Sequence, residues 1–302
     1  MISASDVRRS RREFLRLGAA GAAALAGRDV LTLAAGPAAG PAAAKHIRIA
    51  LQLYSVRGEC AKDRGRNLPK VLEELKKMGY AGVEFAGYYG WSAKDLRKLL
   101  DDAGLKAEGT HTGLNALLGD ALKATIELHQ TLGAKFIIVP GMGGKYVGSA
   151  DNWKATAKLF TDIAAKLKPQ GLYTGYHCHG GDMKKIGDTT GWEIFFDNSG
   201  PDVVHQLDTG NCLSGGGGPV AMLRRYPGRT KSIHMKEHGA KPGTKGMIGE
   251  GDIKWNEVIA LCRTSAGTEW YVIEHERYPV PPLECARLCL EGLKKLLAEG
   301  GK

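Results

Sequence analysis

The segment GYHCHGGD at residues 175–182 places two histidines two positions apart in what is predicted to be a β-strand. Alternate residues of a strand point to the same face, so His177 and His179 are expected to share one enclosed space. Paired imidazoles can bind a metal ion, transfer protons or simply hydrogen bond to each other inside a core. We expect at least one of them to bind metal and leave open which one it is.

Three further polar residues come at the ends of strand-like segments: Asp208 in HQLDTGN, His234 in KSIHMKE and Glu274 in WYVIEHE. A charged carboxylate among apolar neighbours needs a cation or hydrogen bonds to compensate its burial. A helix-capping role for Asp208 and a buried salt bridge for Glu274 are the alternatives. With two carboxylates expected nearby, we interpret His234 as a metal ligand. The predicted ligand set is therefore His177, His179, Asp208, His234 and Glu274.

Other candidates follow from the same alternation along strands. Lys236 lies two residues past His234 and is expected in the pocket, either stabilising an oxyanion or forming a salt bridge with Asp208. For His111, substrate contact and structural hydrogen bonding are equally good interpretations. The Gly-rich segment MIGEGDIKW is expected either to close over a ligand or to form a plain turn. The predicted substrate-binding residues are Glu84, His111, Gln206 and Glu250.

From residue 46 onward, short β-rich runs alternate with amphipathic helical runs, eight times in all. Several helical runs begin at a capping residue such as Ser92 and end at a glycine such as Gly104. Eight β-α pairs in one chain of this length predict a single-domain (β/α)8 TIM barrel, whose active site lies at the carboxyl ends of the strands. A doubly wound open sheet is the alternative, but no G-x-G-x-x-G follows the first strand.

The first residues carry the features of an export signal. SRREFLR is a twin-arginine motif, and an Ala/Gly-rich apolar stretch and a small-residue run follow it. We therefore divide the chain into a removed signal, residues 1–44, and a barrel, residues 45–302, and expect a periplasmic or otherwise extracytoplasmic protein. An amphipathic N-terminal helix is the alternative. After cleavage no membrane association is expected, because no other stretch is apolar for long enough.

Charge and cysteine content narrow the function classes. The formal net charge is +10, but the lysines are scattered along helices rather than massed in a groove, so no nucleic-acid partner is expected. The six cysteines form no C-x-x-C pair, and we predict no disulfide framework.

The chain resembles the sugar phosphate isomerase/epimerase family, the xylose isomerase-like TIM barrels, nearly end to end after the signal. The matching segments are LQLYSV, GYAGVEF, HTGL, GYHCHG, QLDTGN, SIHMKEH, GEGDIKW and YVIEHE. The resemblance implies one divalent ion (Mn, Co, Mg or Zn) held by a Glu, an Asp, a His and a second Glu. Asp208, His234 and Glu274 match the last three ligands. His177 stands where many relatives have the first Glu, and a subgroup that includes inosose dehydratase-like proteins has a similar Y-H-x-H segment.

The resemblance implies an enzyme that isomerises or epimerises a non-phosphorylated keto-sugar or polyol. Glu274 or His177 would remove a proton beside a metal-chelated carbonyl, with Lys236 as a third catalytic candidate. The histidine on strand five makes a lyase or dehydratase, acting on a keto-sugar or 3-keto-glycoside, a serious alternative. A non-catalytic sugar-binding barrel is a second alternative. A nuclease is disfavoured because too few metal ligands are available and export removes its substrate. A small-molecule sugar is the expected partner, and a homo-oligomer is possible.

Overall fold

The computed structural model describes residues 47–299. The predicted export signal at residues 1–44 lies outside the described residues, so it stays a prediction. No helix in the described part of the chain is both long and apolar enough to span a bilayer. All six cysteines are buried and free.

Eight parallel strands surround the centre of the molecule, which confirms the predicted (β/α)8 barrel. Strands β1 to β8 are, in chain order, Arg48–Gln52, Gly82–Phe85, Lys106–His111, Phe136–Val139, Tyr173–His177, Val204–Gln206, Ser232–Met235 and Trp270–Ile273. In sheet order they run β6-β5-β4-β3-β2-β1-β8-β7, and a parallel bridge between Asp208 and His234 joins the two ends of this order.

Helices cover the outside of the strands. Ser92 accepts a hydrogen bond from the backbone of Asp95 at the start of one helix, and left-handed Gly104 ends it, as the capping pattern predicts. The α-helices of the described residues are Arg57–Ala61, Leu68–Met78, Ala93–Ala103, Ala121–Leu132, Gly144–Val147, Ala150–Leu167, Gly191–Asn198, Thr209–Ser214, Pro219–Arg225, Trp255–Thr264 and Pro282–Glu299.

Some predicted strands end earlier than expected. The first stops at Gln52, and Leu53–Val56 forms a 3₁₀ turn. The fifth stops at His177, two residues before His179. Apolar side chains fill the space between strands and helices, while a smaller buried cluster occupies the barrel interior. The smaller cluster consists of Ala50, Phe136, Ile138, Val204, Trp270 and Val272.

Strand β3 contains a bulge. Val83 on β2 pairs with Ala107, whereas the next residue, Glu84, pairs with Gly109, so Glu108 is one residue too many. A bulge of this kind changes which residues of a strand face each side. Gly109 is required here because a Cβ at this position would lie 2.8 Å from a backbone oxygen of β4.

Because of the bulge, Glu108 and His111, which are three residues apart, both point into the barrel. Glu108 is buried close to the charge of Glu84, and three residues later His111 contacts the interior residue Gln206. Between them, Thr110 bonds to His129 of the helix layer at 2.7 Å. Simple alternation would have put Glu108 and His111 on opposite faces.

His205 points away from the interior, as alternation predicts, and is fully buried in the helix layer. The indole nitrogen of Trp192 donates to its Nε2 at 3.0 Å, so its Nδ1 donates to the hydroxyl of Thr230 at 2.9 Å. Burial, assisted by the positive charge of Arg229, lowers the pKa of His205 from 6.5 to about 3. A proton on Nε2 would place its N–H against the indole N–H of Trp192, so the folded state keeps the His205 imidazole neutral.

We therefore expect His205 to lower the free energy of unfolding in acid. Its stabilisation is complete above pH 6.5, where the unfolded histidine is also neutral, and is lost as the pH falls towards 3. In this window the free energy of unfolding should fall by about 1.4 kcal/mol per pH unit from this group. Urea unfolding of the wild type and His205→Gln from about pH 7.5 to about pH 5 measures this. If the free energy of unfolding depends on pH with the same slope in both proteins, His205 is not the group responsible.

Candidate metal centre and active site

Four side chains from four neighbouring strands meet at the carboxyl end of the barrel. His177 ends β5, Asp208 follows β6, His234 lies in β7 and Glu274 follows β8. Each offers one ligand atom, and these atoms all lie within 4.8 Å of one another. The Nδ1 atom of His234 is 2.9 Å from Glu274 Oε2 and 3.8 Å from Asp208 Oδ2. The group is buried, and two imidazoles with two carboxylates form a donor set that suits Zn, Mn or Co.

Asp208 has one engaged and one free oxygen. Its Oδ1 accepts a hydrogen bond from the backbone of Asn211 at 2.7 Å and so caps the helix Thr209–Ser214. Its Oδ2 is buried and has no hydrogen-bond partner among the described residues. Burial raises the pKa of Asp208 to about 7, although the charge of Lys236 opposes the shift. A buried oxygen without a partner is costly, so this atom fits a cation.

His234 lies between two carboxylates. Its Nδ1 faces Glu274 and its Nε2 is 2.7 Å from Glu84 Oε2. Burial acts to lower its pKa, but the two carboxylates outweigh it and raise the pKa of His234 to about 10. Thus Nδ1 faces the other candidate ligands while an outer carboxylate holds Nε2, which is the arrangement that orients metal-binding histidines in proteins.

Gln206 determines which ring nitrogen carries the hydrogen in two other imidazoles. Its Nε2 donates to Glu84 Oε1 at 2.7 Å and to Ser232 Oγ at 3.0 Å, so its Oε1 is the acceptor for His111 Nε2 at 2.9 Å and His177 Nδ1 at 3.1 Å. His177 therefore has its proton on Nδ1, and its free Nε2 faces Glu274 at 4.0 Å. Burial and the neighbouring imidazoles lower the pKa of His177 well below its usual range, which keeps Nε2 available as a ligand.

Two of the predicted substrate-binding residues are corrected by this geometry. Glu84 and Gln206 are completely buried. The Glu84 carboxylate accepts from Gln52, Gln206 and His234, each at 2.7 Å, which leaves no room for a sugar hydroxyl. Both side chains lie one layer below the candidate ligands and orient them.

For His179 and Glu250 the structure favours one of the alternatives that the sequence leaves open. His179 is exposed, lies beyond the end of β5 and is outside the set of four, although its ring centroid is 4.9 Å from that of His177. Glu250 accepts hydrogen bonds from the backbone of Lys245 and Met247 and so shapes its own loop, the plain-turn alternative. His111 is half-buried and stacks on His234 with 5.3 Å between ring centroids, so it stays a candidate for substrate contact.

Lys236 lies beside the centre. Its Nζ is 3.9 Å from both Asp208 Oδ2 and Glu274 Oε2 and forms an ion pair with Glu276. Burial acts to lower the pKa of Lys236, but the three carboxylates raise it, so the side chain is a cation rather than a base. Lys236 and Glu274 line a cavity of about 200 Å³ that opens beside the centre.

Two carboxylates with structural importance were not predicted from the sequence. Glu108 is buried in the barrel, and burial together with the charge of Glu84 raises its pKa well above the usual range. Glu237 accepts from the backbone of Gly249 and Ile253 and from the indole of Trp255, and thereby ties together the loop that walls the cavity. Glu108 lies in KAEGTH and Glu237 in HMKEHG, so no local sequence signal indicates either role.

The Glu84→Gln variant tests the orienting role of this carboxylate. Because the amide cannot hold the His234 Nε2–H as a charged acceptor does, we expect the affinity for Zn²⁺ or Mn²⁺ to fall by about 10- to 100-fold. Competition with a chelator of known affinity measures it. Glu74→Gln, which removes an exposed partner of Lys77, is the matched control and should bind metal like the wild type. Unchanged affinity in Glu84→Gln would rule out the orienting role.

The fold and this site define a class of barrel protein, and a family model agrees with it. The model described as the xylose isomerase-like TIM barrel matches residues 72–296, and the chain belongs to that family. This confirms the family expected from the short motifs.

Curated relatives cover most of the chain at low identity. The rhizopine catabolism protein MocC of Rhizobium meliloti is 23% identical, and the match covers 84% of this chain and 90% of the relative. An inosose dehydratase of Clostridium perfringens is 25% identical, with 71% of this chain and 85% of the relative covered.

Solved structures share the fold. A sugar phosphate isomerase/epimerase from Parabacteroides distasonis has a TM-score of 0.70 and 23% identity, covering 83% of this chain and 98% of its own. The IolI protein, crystallised with a bound zinc atom, has a TM-score of 0.62 and 15% identity, covering 84% of this chain and 99% of its own.

Proposed function

We propose that the protein is a divalent-metal-dependent isomerase or epimerase of a non-phosphorylated keto-sugar or polyol. The observation that carries this proposal is the convergence of His177, Asp208, His234 and Glu274, with one ligand atom each within 4.8 Å, at the open end of the barrel. The named activities of the relatives support a sugar-modifying enzyme. A divalent ion held by these four side chains would polarise a sugar carbonyl and acidify the neighbouring C–H.

Proton transfer is assigned to the side chains that line the cavity. Burial acts to raise the pKa of Glu274, but its hydrogen bond to His234 and the charges of His234 and Lys236 lower it well below the usual range. Glu274 is therefore ionised and is the proposed base, with neutral His177 as a second proton carrier. The Lys236 cation, 3.9 Å from Glu274, stabilises the negative charge that develops on the sugar oxygen.

A lyase or dehydratase is the second candidate. Proton removal would be the same, but departure of a hydroxyl or glycosidic group from the next carbon would replace the return of the proton. The dehydratase among the curated relatives supports this reading, as does His177 at the position where an epimerase-type site is expected to have its first glutamate.

We also propose that the protein acts outside the cytoplasm, which agrees with a substrate that lacks phosphate. Cell fractionation and the mass of the mature chain test this. A twin-lysine replacement of Arg11 and Arg12 should keep the full-length chain in the cytoplasm.

Metal analysis followed by NMR in D2O tests the reaction. We expect about one ion per chain and deuterium at the carbon beside the carbonyl in a recovered keto-sugar or its epimer. A dehydrated product would favour the lyase. Sugar binding with neither exchange nor product, in the metal-loaded protein, would replace both with a binding role.

A further inference from the structure

We propose that the rim of the barrel carries a second subsite, formed by Tyr54, Arg57 and Tyr278, that holds the second ring of a glycoside whose first ring lies at the metal centre. This inference rests on the proposed function and defines its substrate class as a glycoside rather than a free monosaccharide. A ring bound here would not react; it would contribute affinity and position the first ring.

Exposure of aromatic surface is the first observation. Among residues 47–299, the large hydrophobic side chains that are exposed are Tyr54 and Tyr278, at 39% and 40%. Both lie past the carboxyl ends of neighbouring strands, since Tyr54 follows β1, Tyr278 follows β8, and these strands pair directly. Exposed aromatic residues grouped at the end of the barrel that holds the metal centre offer a surface for a ligand.

Arg57 joins the two rings. Its guanidinium carbon is 3.9 Å from the Tyr54 ring centroid and 6.0 Å from that of Tyr278. Its Nη1 donates to the backbone oxygen of Tyr54 at 2.8 Å and to the hydroxyl of Tyr278 at 2.9 Å. Within the described residues it forms no ion pair with a carboxylate, so its other N–H groups remain available. The Tyr278 hydroxyl accepts from Arg57 and keeps its own proton to donate.

The rim residues are tied to the metal centre. The backbone nitrogen of Tyr54 donates to Gln52 Oε1 at 3.1 Å, and the amide of Gln52 donates to Glu84 at 2.7 Å, which in turn holds His234. On the other side, the backbone of His275, next to Glu274, donates to Ser55 beside Tyr54 at 3.0 Å. The subsite therefore has a fixed position relative to the reacting ring.

The chemistry of the group fits a sugar ring. A pyranose has apolar C–H faces that pack on aromatic rings and a rim of hydroxyls that accept from guanidinium and phenol donors. A second copy of the chain fits less well, because a stable interface buries about 800 Å² per partner around apolar anchors. The described surface offers two such exposed side chains, both with their polar tips engaged or ready to bond.

Kinetics and binding on matched substrates test the subsite. Two keto-sugars, 3-keto-trehalose and 3-keto-glucose, are followed by proton–deuterium exchange in Zn²⁺-loaded protein. Trehalose and glucose are followed by saturation-transfer NMR. We expect the wild type to bind each disaccharide at least about tenfold more tightly than its monosaccharide. Tyr54→Ala and Tyr278→Ala should remove this difference and leave the monosaccharide constants unchanged. Tyr278→Phe, which keeps the ring, should retain most of it.

Tyr173→Ala is the control, because Tyr173 also lies beside cationic side chains, Lys135 and Lys231, but at the start of β5, at the opposite end of the barrel. Equal affinity for disaccharide and monosaccharide in the wild type would overturn the subsite, as would parallel losses for both in the tyrosine variants. A tyrosine variant that converts a dimer to a monomer without changing sugar affinity would assign the rim to subunit contact instead. If trehalose binds more tightly than glucose but neither keto-sugar exchanges deuterium, the subsite stands and the proposed function is overturned.

Discussion

The Glu274→Gln variant is expected to lose turnover by a factor of about 10²–10⁴ while binding sugar with little change, because the amide keeps the shape of the side chain but cannot accept a proton. The ionised state of Glu274 and its position on the cavity wall are the reasons for this expectation. Deuterium exchange at saturating metal measures turnover, and saturation-transfer NMR measures binding.

Glu269→Gln is the matched control for this experiment. Glu269 precedes the same strand, β8, at the other end of the barrel, where it pairs with Lys135 and Lys231. It should retain full activity. If Glu274→Gln keeps wild-type turnover, the proton is removed by another group, and His177 is the next residue to replace.

The second large effect concerns Asp208→Asn, which should stabilise the metal-free protein and remove most of the stabilisation that the wild type gains from metal. The asparagine keeps the hydrogen bond from the backbone of Asn211 but removes the charge on Oδ2, the oxygen with no hydrogen-bond partner among the described residues. We expect the metal-free variant to be more stable than the wild type by about 1–3 kcal/mol. The wild type should gain about 2.7 kcal/mol from metal at 100 times its Kd, and the variant should lose most of that gain.

The stability difference between the wild type and Asp208→Asn should also depend on pH. The pKa of Asp208 rises from 3.8 to about 7 on folding, so the folded state holds the proton more tightly in that interval. The destabilisation by Asp208 is therefore complete above about pH 7 and disappears as the pH falls towards 3.8. Thermal unfolding of both metal-free proteins across this interval should show their stabilities converging in acid. A variant that is less stable at every pH would indicate that the carboxylate acts mainly as a structural group.

The fold followed from the sequence because its signals are local and repeated. Eight alternating strand and helix patterns, with caps such as Ser92 and Gly104, identify a barrel and thereby bring residues far apart in the chain to one rim. That is how Asp208 and Glu274 could be grouped before their distances were known.

The depth of each residue in the barrel could not be predicted in the same way. Alternation identifies the inward face, but the stagger of the strands decides which inward layer meets the substrate. Glu84 and Gln206 are inward as expected, yet they lie beneath the candidate ligands and are consumed by protein contacts. His179 lies outside the group of four for a related reason, because the strand ends at His177 and alternation does not place the residues beyond it.

The additional residue in β3 suggests how pockets of this type diversify. In a strand without the bulge, His111 would point towards the helices and Thr110 would point into the barrel at the end that holds the metal centre. One inserted or deleted codon could thus exchange an imidazole for a hydroxyl without any substitution. Alignments that score only amino-acid replacements would overlook such an event, and engineers could use it to refit a barrel by changing chain length alone.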